Sequence, residues 1–416
     1  MHYDFDQEVD RRTSLSVKWN PSAIKNICGN PEAQPFWVAD MDFTVADEVA
    51  QQARTLAEHA VFGYPFAPNQ RQIFCGWAER RHNLMLSPKE VVISQGVLSS
   101  IAILTELLTK EGDGIIIPLP AYQPFVRIVN QLHRTLIPWP LAYDPVAHQF
   151  QLDWETLEEC AQKAKLLVFC SPHNPSGLSF SKEDLTRLCT IAKAHQIPLI
   201  SDEIHADLSF VDHHSLLETA RETGADAVVC MAPSKTFNMA GEHYSVTLFT
   251  DEALRNAFKS RLGQLFIAEN STFAITLAQT CYQHGDLWLK DLLAYLQGNT
   301  QLIEEYLTEY LPSLVFIRPK ASFIGLFDCS AILDLVERDE QAHPELYDPS
   351  QSPSGGLLSR FFGQRAGLAM NDGTWFGGDA YRNFVRFNYG TQRCHVREAL
   401  DKIAQAVQFL EQTYAN

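Results

Sequence analysis

Ala227-Val-Val-Cys-Met231 runs directly into Ala232-Pro-Ser-Lys-Thr-Phe-Asn-Met-Ala-Gly241. The first five residues are a short apolar run that reads as a buried strand. Lys235 is therefore delivered to the loop at its end, where α/β proteins place their chemistry. Two upstream segments repeat the arrangement. Leu166-Leu-Val-Phe-Cys170 leads into Ser171-Pro-His-Asn-Pro-Ser-Gly177, and Ile197-Pro-Leu-Ile200 leads into Ser201-Asp-Glu-Ile-His205. Between them, Ser181-Lys-Glu-Asp184 reads as the capped start of a helix carrying Leu185, Leu188, Cys189 and Ala192. Such strand–helix–strand alternation, from about residue 46 to 290, predicts an α/β fold with a mostly parallel sheet and helices on both faces.

Taken singly, each loop is ordinary. Ser-Lys-Thr after a strand is commonly a solvated turn, an aspartate there is often a cap or turn residue, and Asn-Pro-x-Gly is a turn signal. A nucleotide-binding P-loop is rejected because no Gly-x-x-x-x-Gly precedes Lys235. Together, in this order and all at strand ends, Lys235, Asn174 and Asp202 suit pyridoxal 5'-phosphate (PLP). Its aldehyde needs a lysine amine, and its ring nitrogen needs a carboxylate to stay protonated.

Composition sets outer bounds. A chain of 416 residues exceeds one usual core, so two units sharing a site are expected. After about residue 290 the pattern changes to a long helix with Leu292, Leu293, Tyr295, Leu296 and Leu302, then strand-like pieces at Leu314–Ile317, Phe323–Asp328 and Phe384–Asn388. That is α+β. Residues 337–356 are polar, acidic and rich in Pro, Ser and Gly, and read as a surface loop. Apolar runs such as Gly114-Ile-Ile-Ile-Pro118 are too short to span a bilayer, and Met-His-Tyr-Asp-Phe-Asp has no apolar leader. Nine scattered cysteines without a C-x-x-C pair fit a reducing cytoplasm and call for no metal. A net charge of −17 argues against nucleic acid or an anionic membrane as partner.

The chain resembles the class I/II aminotransferase superfamily (fold type I PLP enzymes), and within it the cystathionine β-lyase, or C–S lyase, branch called MalY/PatB-like. The markers are Trp37-Val-Ala-Asp-Met-Asp-Phe43, Phe62-Gly-Tyr64, Ser171 to Gly177, Ser201-Asp-Glu-Ile-His-Ala-Asp-Leu208, Ala232 to Asn238 and Met370-Asn-Asp-Gly373. The resemblance implies a large PLP-binding domain at 46–290. It also implies a small domain built from 1–45 and 291–416, and a homodimer with shared sites. The implied reaction is cleavage of cystathionine or a related cysteine thioether to thiol, pyruvate and ammonia. An aminotransferase acting on an amino acid and a 2-oxo acid is the alternative, and a regulatory protein on the same fold is a third reading.

Roles follow by position. The resemblance implies that Lys235 is the catalytic residue, Asp202 the partner of the ring nitrogen and Asn174 the donor to the cofactor's 3'-oxygen; His205 is expected either to reach that oxygen or to pack against the strand. The phosphate needs backbone N–H groups at a helix start, and Val91-Val-Ile-Ser-Gln-Gly-Val-Leu-Ser-Ser-Ile101 supplies a strand, a glycine and a helical pattern. Gly96, Val97 and Leu98 are the expected cradle, with a hydroxyl from Ser234. Tyr122 resembles the aromatic that stacks on the ring; without the family it reads as a core tyrosine flanking a turn. Arg386, in the strand Phe384–Asn388, resembles the bidentate clamp for the substrate carboxylate. Trp37, Ala39 and Asp40 resemble the segment covering the substrate, and Tyr64 a residue reaching the partner's site. His243 stands eight residues after Lys235, where many relatives hold an arginine against the phosphate. Departures from the branch are Gln95, Glu242-His243 and Phe387-Asn-Tyr-Gly-Thr-Gln-Arg393.

Overall fold

The computed structural model describes residues 2–414. Met1 and residues 415–416, the outer ends of the small unit expected from the sequence, lie outside it. The larger sheet has seven strands: β1 Val92–Ser94, β2 Gly114–Leu119, β3 Thr135–Pro140, β4 Ala164–Cys170, β5 Leu199–Asp202, β6 Ala227–Met231 and β7 Ser245–Phe249. Their order is β1-β7-β6-β5-β4-β2-β3, with only β7 running antiparallel to its neighbours. The apolar runs are continuous because both faces of the sheet are covered. Alternate residues of one strand feed separate cores: Leu166, Val168 and Cys170 pack in one, Leu167 and Phe169 in the other.

Four helices matter for the site: α1 Gln70–His82, α2 Val97–Leu108, α3 Lys182–Ala194 and α4 Asp286–Tyr310. The capped start expected at Ser181 is present, with Ser181 and Asp184 bonding each other's backbone N–H groups. A second, antiparallel sheet follows: β8 Val315–Ile317, β9 Ile324–Asp328, β10 Asn371–Asp372 and β11 Phe384–Asn388, in the order β8-β9-β11-β10. The N-terminal segment joins it from outside, since Phe36 N–H donates to Ala369 and Asn388 N–H donates to Phe36.

The reading of 337–356 as a surface loop is corrected. Leu333–Ala342 is a helix, and Asp339, Tyr347 and Ser352 are buried. The Asp339 carboxylate gathers Tyr347 Oη (2.5 Å), both forks of Arg365 (2.9 and 2.6 Å) and Tyr414 Oη (3.0 Å). A satisfied buried charge thus organises a stretch whose composition reads as solvated. Among the described residues no helix is long and apolar enough to cross a membrane. All nine cysteines are unpaired, and all but Cys394 are buried.

Residues 10–19 are fastened to 37–43 by a buried ion cluster. Lys18 is fully buried, and its Nζ donates to Asp42 (2.7 Å) and to the Asp40 carbonyl (3.1 Å). Arg11 donates to Asp42 (2.7 Å) and pairs with Asp40 (2.9 Å). Burial pushes the Asp42 carboxyl upward, but Lys18 and Arg11 outweigh it and hold it below the ordinary carboxylate range. Asp42→Asn removes the nearer of the two carboxylates beside the Lys18 ammonium, leaving Asp40 at 3.8 Å, so a loss of about 3 kcal/mol in unfolding free energy is expected. A pKa depressed by folding gives stability that is complete above the unfolded value and is lost as pH falls through the folded value. The gap between wild type and Asp42→Asn in urea unfolding should therefore narrow from pH 7 to acid pH. A constant gap would contradict the charge origin.

Candidate active site

Lys235 sits in a single helical turn, Pro233–Thr236, entered directly from β6. The expected loop is thus one turn of helix, begun by a proline at its first position. Each of the next three residues is tied to a different element. Thr236 Oγ1 donates to Asp207 (2.9 Å), and Phe237 packs edge-on against Trp77. Asn238, at φ +54°, binds the Met41 N–H (2.9 Å) and the carbonyls of Met41 (2.9 Å) and Phe43 (2.7 Å). Lys235 Nζ donates to the Ala39 carbonyl at 2.6 Å. Burial lowers its pKa and nearby Arg386 adds to this, while Asp40 and Asp202 oppose it. The amine is therefore biased toward its neutral, nucleophilic form.

β6, β5 and β4 are adjacent and parallel, so Lys235, Asp202 and Asn174 lie side by side at their carboxyl ends. They line one cavity of about 320 Å³ with Tyr122 and His205. Asp202 is 3% exposed and accepts one hydrogen bond, from Ile204 N–H at 3.0 Å. Burial raises its pKa to about 7, against smaller downward pulls from that bond and Lys235. His205 Nδ1 is held by Ser322 Oγ at 3.0 Å, and its ring packs edge-on with Phe323. Burial, with Lys235 and Arg386, pushes it down to about 3, so the imidazole is neutral. Burial also raises the Tyr122 phenol.

The start of α2 lines the same cavity. Gly96 occupies its N-cap at φ +98°, a backbone conformation that side chains disfavour. No side chain caps the helix there, and its first N–H groups belong to Val97, Leu98 and Ser99. Ser234 and His243 also line the cavity, and a Cβ at Gly96 would stand 3.6 Å from His243 Nδ1.

Arg386, 3% exposed on β11, has no carboxylate partner among the described residues. It donates to Asn174 Oδ1 (3.0 Å), Asn371 Oδ1 (3.1 Å) and the Trp37 carbonyl (2.5 Å), while its Nε is unpaired. Burial lowers its pKa to about 10, which leaves it a cation at neutral pH. Three expected residues sit differently from the simplest reading. Trp37 contributes its carbonyl, since its indole N–H donates to Lys18 O and its ring packs beside Ile24 and Ile27. The Asp40 carboxylate is engaged by Arg11, and only Ala39 of this segment lines the cavity. Tyr64 is 98% exposed and does not line its own chain's cavity.

Three asparagines were missed as site residues. Asn371 supports Arg386, and Asn238 and Asn388 hold the backbone of 38–43, Asn388 Nδ2 donating to Val38 O and Asp40 O (both 2.6 Å). Their sequence signal was limited to membership of the quoted motifs. Within the cavity stand a lysine whose pKa burial lowers, a buried carboxylate without an ion-pair partner and an uncapped helix start. These features fit a flat, protonated ring bearing an aldehyde and a phosphate, which is PLP.

Fold and site together define an aminotransferase-type α/β protein. The chain belongs to the aminotransferase class I and II family, whose profile matches residues 38–403. It is similar to cystathionine β-lyase PatB of Bacillus subtilis (strain 168), at 33% identity over 334 residues, covering 79% of this chain and 85% of that protein. A PLP-bound protein from Clostridium difficile 630 superposes with a TM-score of 0.88 at 30% identity, over 98% of this chain and 100% of that one. Cystalysin of Treponema denticola, which contains a pyridoxal 5'-phosphate cofactor, gives 0.87 at 25% identity, over 99% and 100%.

Proposed function

We propose that this chain is a PLP-dependent C–S β-lyase that converts cystathionine or a related cysteine thioether, with water, to a thiol, pyruvate and ammonia. The observation that carries the proposal is the alignment of Lys235, Asp202 and Asn174 on three adjacent strand ends, with Arg386 bonded to Asn174. Likeness to the lyase PatB selects elimination over amino transfer. Bound in the cavity, the cofactor would supply an aldehyde and an electron-withdrawing ring that acidifies the substrate Cα–H. Asp202 would keep the ring nitrogen protonated, Tyr122 would stack on the ring, and Asn174 and His205 would face the 3'-oxygen. Gly96, Val97, Leu98, Ser234 and His243 would hold the phosphate. The Arg386 guanidinium, whose Nε is unpaired, would take the substrate carboxylate, which orients Cα toward Lys235 Nζ. Lys235 then removes the Cα proton, and the Cβ–S bond breaks with its electron pair leaving on sulfur.

Purified enzyme mixed with L-cystathionine and no 2-oxo acid is expected to release pyruvate and free thiol in equal amounts. Turnover that appears only when a 2-oxo acid is added would establish the aminotransferase instead.

The large unit is proposed as 46–290 and the small one as the remainder, in a cytoplasmic homodimer. Exposure of Phe62, Tyr64 and Phe66 on one short segment supports such an interface. If Tyr64 completes the partner's site, mixing Tyr64→Ala and Lys235→Ala chains should restore activity up to about a quarter of wild type, since half the dimers formed are mixed and each has one intact site. No recovery after verified subunit exchange would reject the shared site.

A further inference from the structure

Outside the cavity lies a buried polar cluster with no part in the chemistry above. Asp207 is 4% exposed, on the short 3-10 turn Ala206–Leu208 that follows His205. It accepts three hydrogen bonds from two other elements: Trp77 Nε1 (3.0 Å) and His82 Nε2 (2.7 Å) of α1, and Thr236 Oγ1 (2.9 Å) of the lysine turn. Thr236 is fully buried and is covalently next to Lys235. Burial alone would raise the Asp207 pKa, yet His82, Thr236 and Arg81 together hold it below the ordinary carboxylate range. A charged acceptor makes the bond to Thr236 stronger than a neutral pair would.

The same construction recurs one strand away. Glu203, next to Asp202, accepts Leu216 N–H (2.8 Å) and pairs with His213 Nε2 (3.0 Å). The rings of His213 and His82 meet edge to face at 5.5 Å. Lys235 is thus followed by a residue clamped to one buried carboxylate–histidine pair, and Asp202 by the carboxylate of another. The lysine needs this more than the aspartate does. Its Nζ must serve first the cofactor carbon and then the substrate Cα, at the end of a flexible four-carbon stem. Only a fixed backbone anchor restricts that sweep.

We infer that Asp207 is a positioning residue for Lys235, acting through Thr236 Oγ1 and locked to α1 by Trp77 and His82. The inference rests on the PLP-lyase reading above. Misplacing a reacting group by about 1 Å costs on the order of 10²-fold in rate, without a matching loss of substrate binding.

The test uses cofactor-loaded enzyme carrying Thr236→Val, which keeps the shape and deletes the donor, Thr236→Ser, which keeps the donor, and Asp207→Asn. Thr236→Val should lower kcat for pyruvate release by roughly 10–100-fold with KM changed less than about threefold. Thr236→Ser should stay within about threefold of wild type. Thr236→Val with Asp207→Asn should be little worse than the more damaging single variant, because both break one link. Without substrate, the pH midpoint of the visible absorbance of the lysine-bound cofactor should move by about 0.5 unit or more in Thr236→Val and stay put in Thr236→Ser. That spectrum depends on Lys235 and not on the reaction catalysed. If wild type releases no pyruvate, the lyase reading fails and the spectral arm still decides the positioning role. An unmoved midpoint in Thr236→Val, or equal losses in Thr236→Val and Thr236→Ser, would overturn the inference.

Discussion

Lys235→Ala is expected to lose the visible absorbance of lysine-bound cofactor and at least ~10⁴-fold in kcat for pyruvate release. The size follows from how little else the cavity offers. Among its lining residues Lys235 carries the only aliphatic amine, and the neutral His205 is fixed by Ser322 rather than free to move a proton. On the proposed mechanism, removing the lysine deletes both the covalent anchor and the base. Folding should be little affected, because the side chain makes one hydrogen bond, to Ala39 O. Added methylamine should recover part of the rate by standing in for the missing amine. A Lys235→Ala enzyme within tenfold of wild type would refute the whole assignment.

Asp202→Asn is expected to lower kcat by about 10²–10⁴-fold and to loosen the cofactor. Breaking a buried charge pair by neutralising one member costs about 3–5 kcal/mol, and each 1.36 kcal/mol is tenfold in rate. Burial raises the Asp202 pKa to about 7, with Ile204 N–H its one hydrogen-bond donor. A cationic ring beside it restores the carboxylate, and an amide cannot repay that charge. Cofactor affinity by fluorescence titration and kcat from pyruvate release should fall together in Asp202→Asn. If both stay within about fivefold of wild type, the ring nitrogen has no partner in Asp202.

The line of chemistry along β4, β5 and β6 was legible because a strand buried on both faces is an unbroken apolar run. The first polar residues after it must sit at its end. The Ser181 cap was legible for a similarly local reason. Lys18 was not: a lone lysine in a polar N-terminal stretch reads as solvated until Asp42, 24 positions on, is seen to close on it. Asn388 and Asn371 look like ordinary strand and turn residues, since a side-chain amide that splints a distant backbone leaves no periodicity. Residues 337–356 misled for the same reason, because the partners that bury Asp339 include Arg365 and Tyr414, beyond the stretch itself. Trp37 was placed in the right segment, but whether its ring or its carbonyl faced Arg386 is decided by packing against Ile24 and Ile27.

The segment 37–43 meets the site almost wholly through main-chain oxygen: Trp37 O on Arg386, Ala39 O on Lys235, and Val38 O and Asp40 O on Asn388. Every amino acid carries the same carbonyl, so point mutation cannot delete these acceptors; only a change in the path of the chain can. The wall at Ala39 is consequently an evolvable surface mounted on an unchanging frame. A side chain at position 39 can change, and retune what the cavity admits, while the lysine and the arginine keep their bearings.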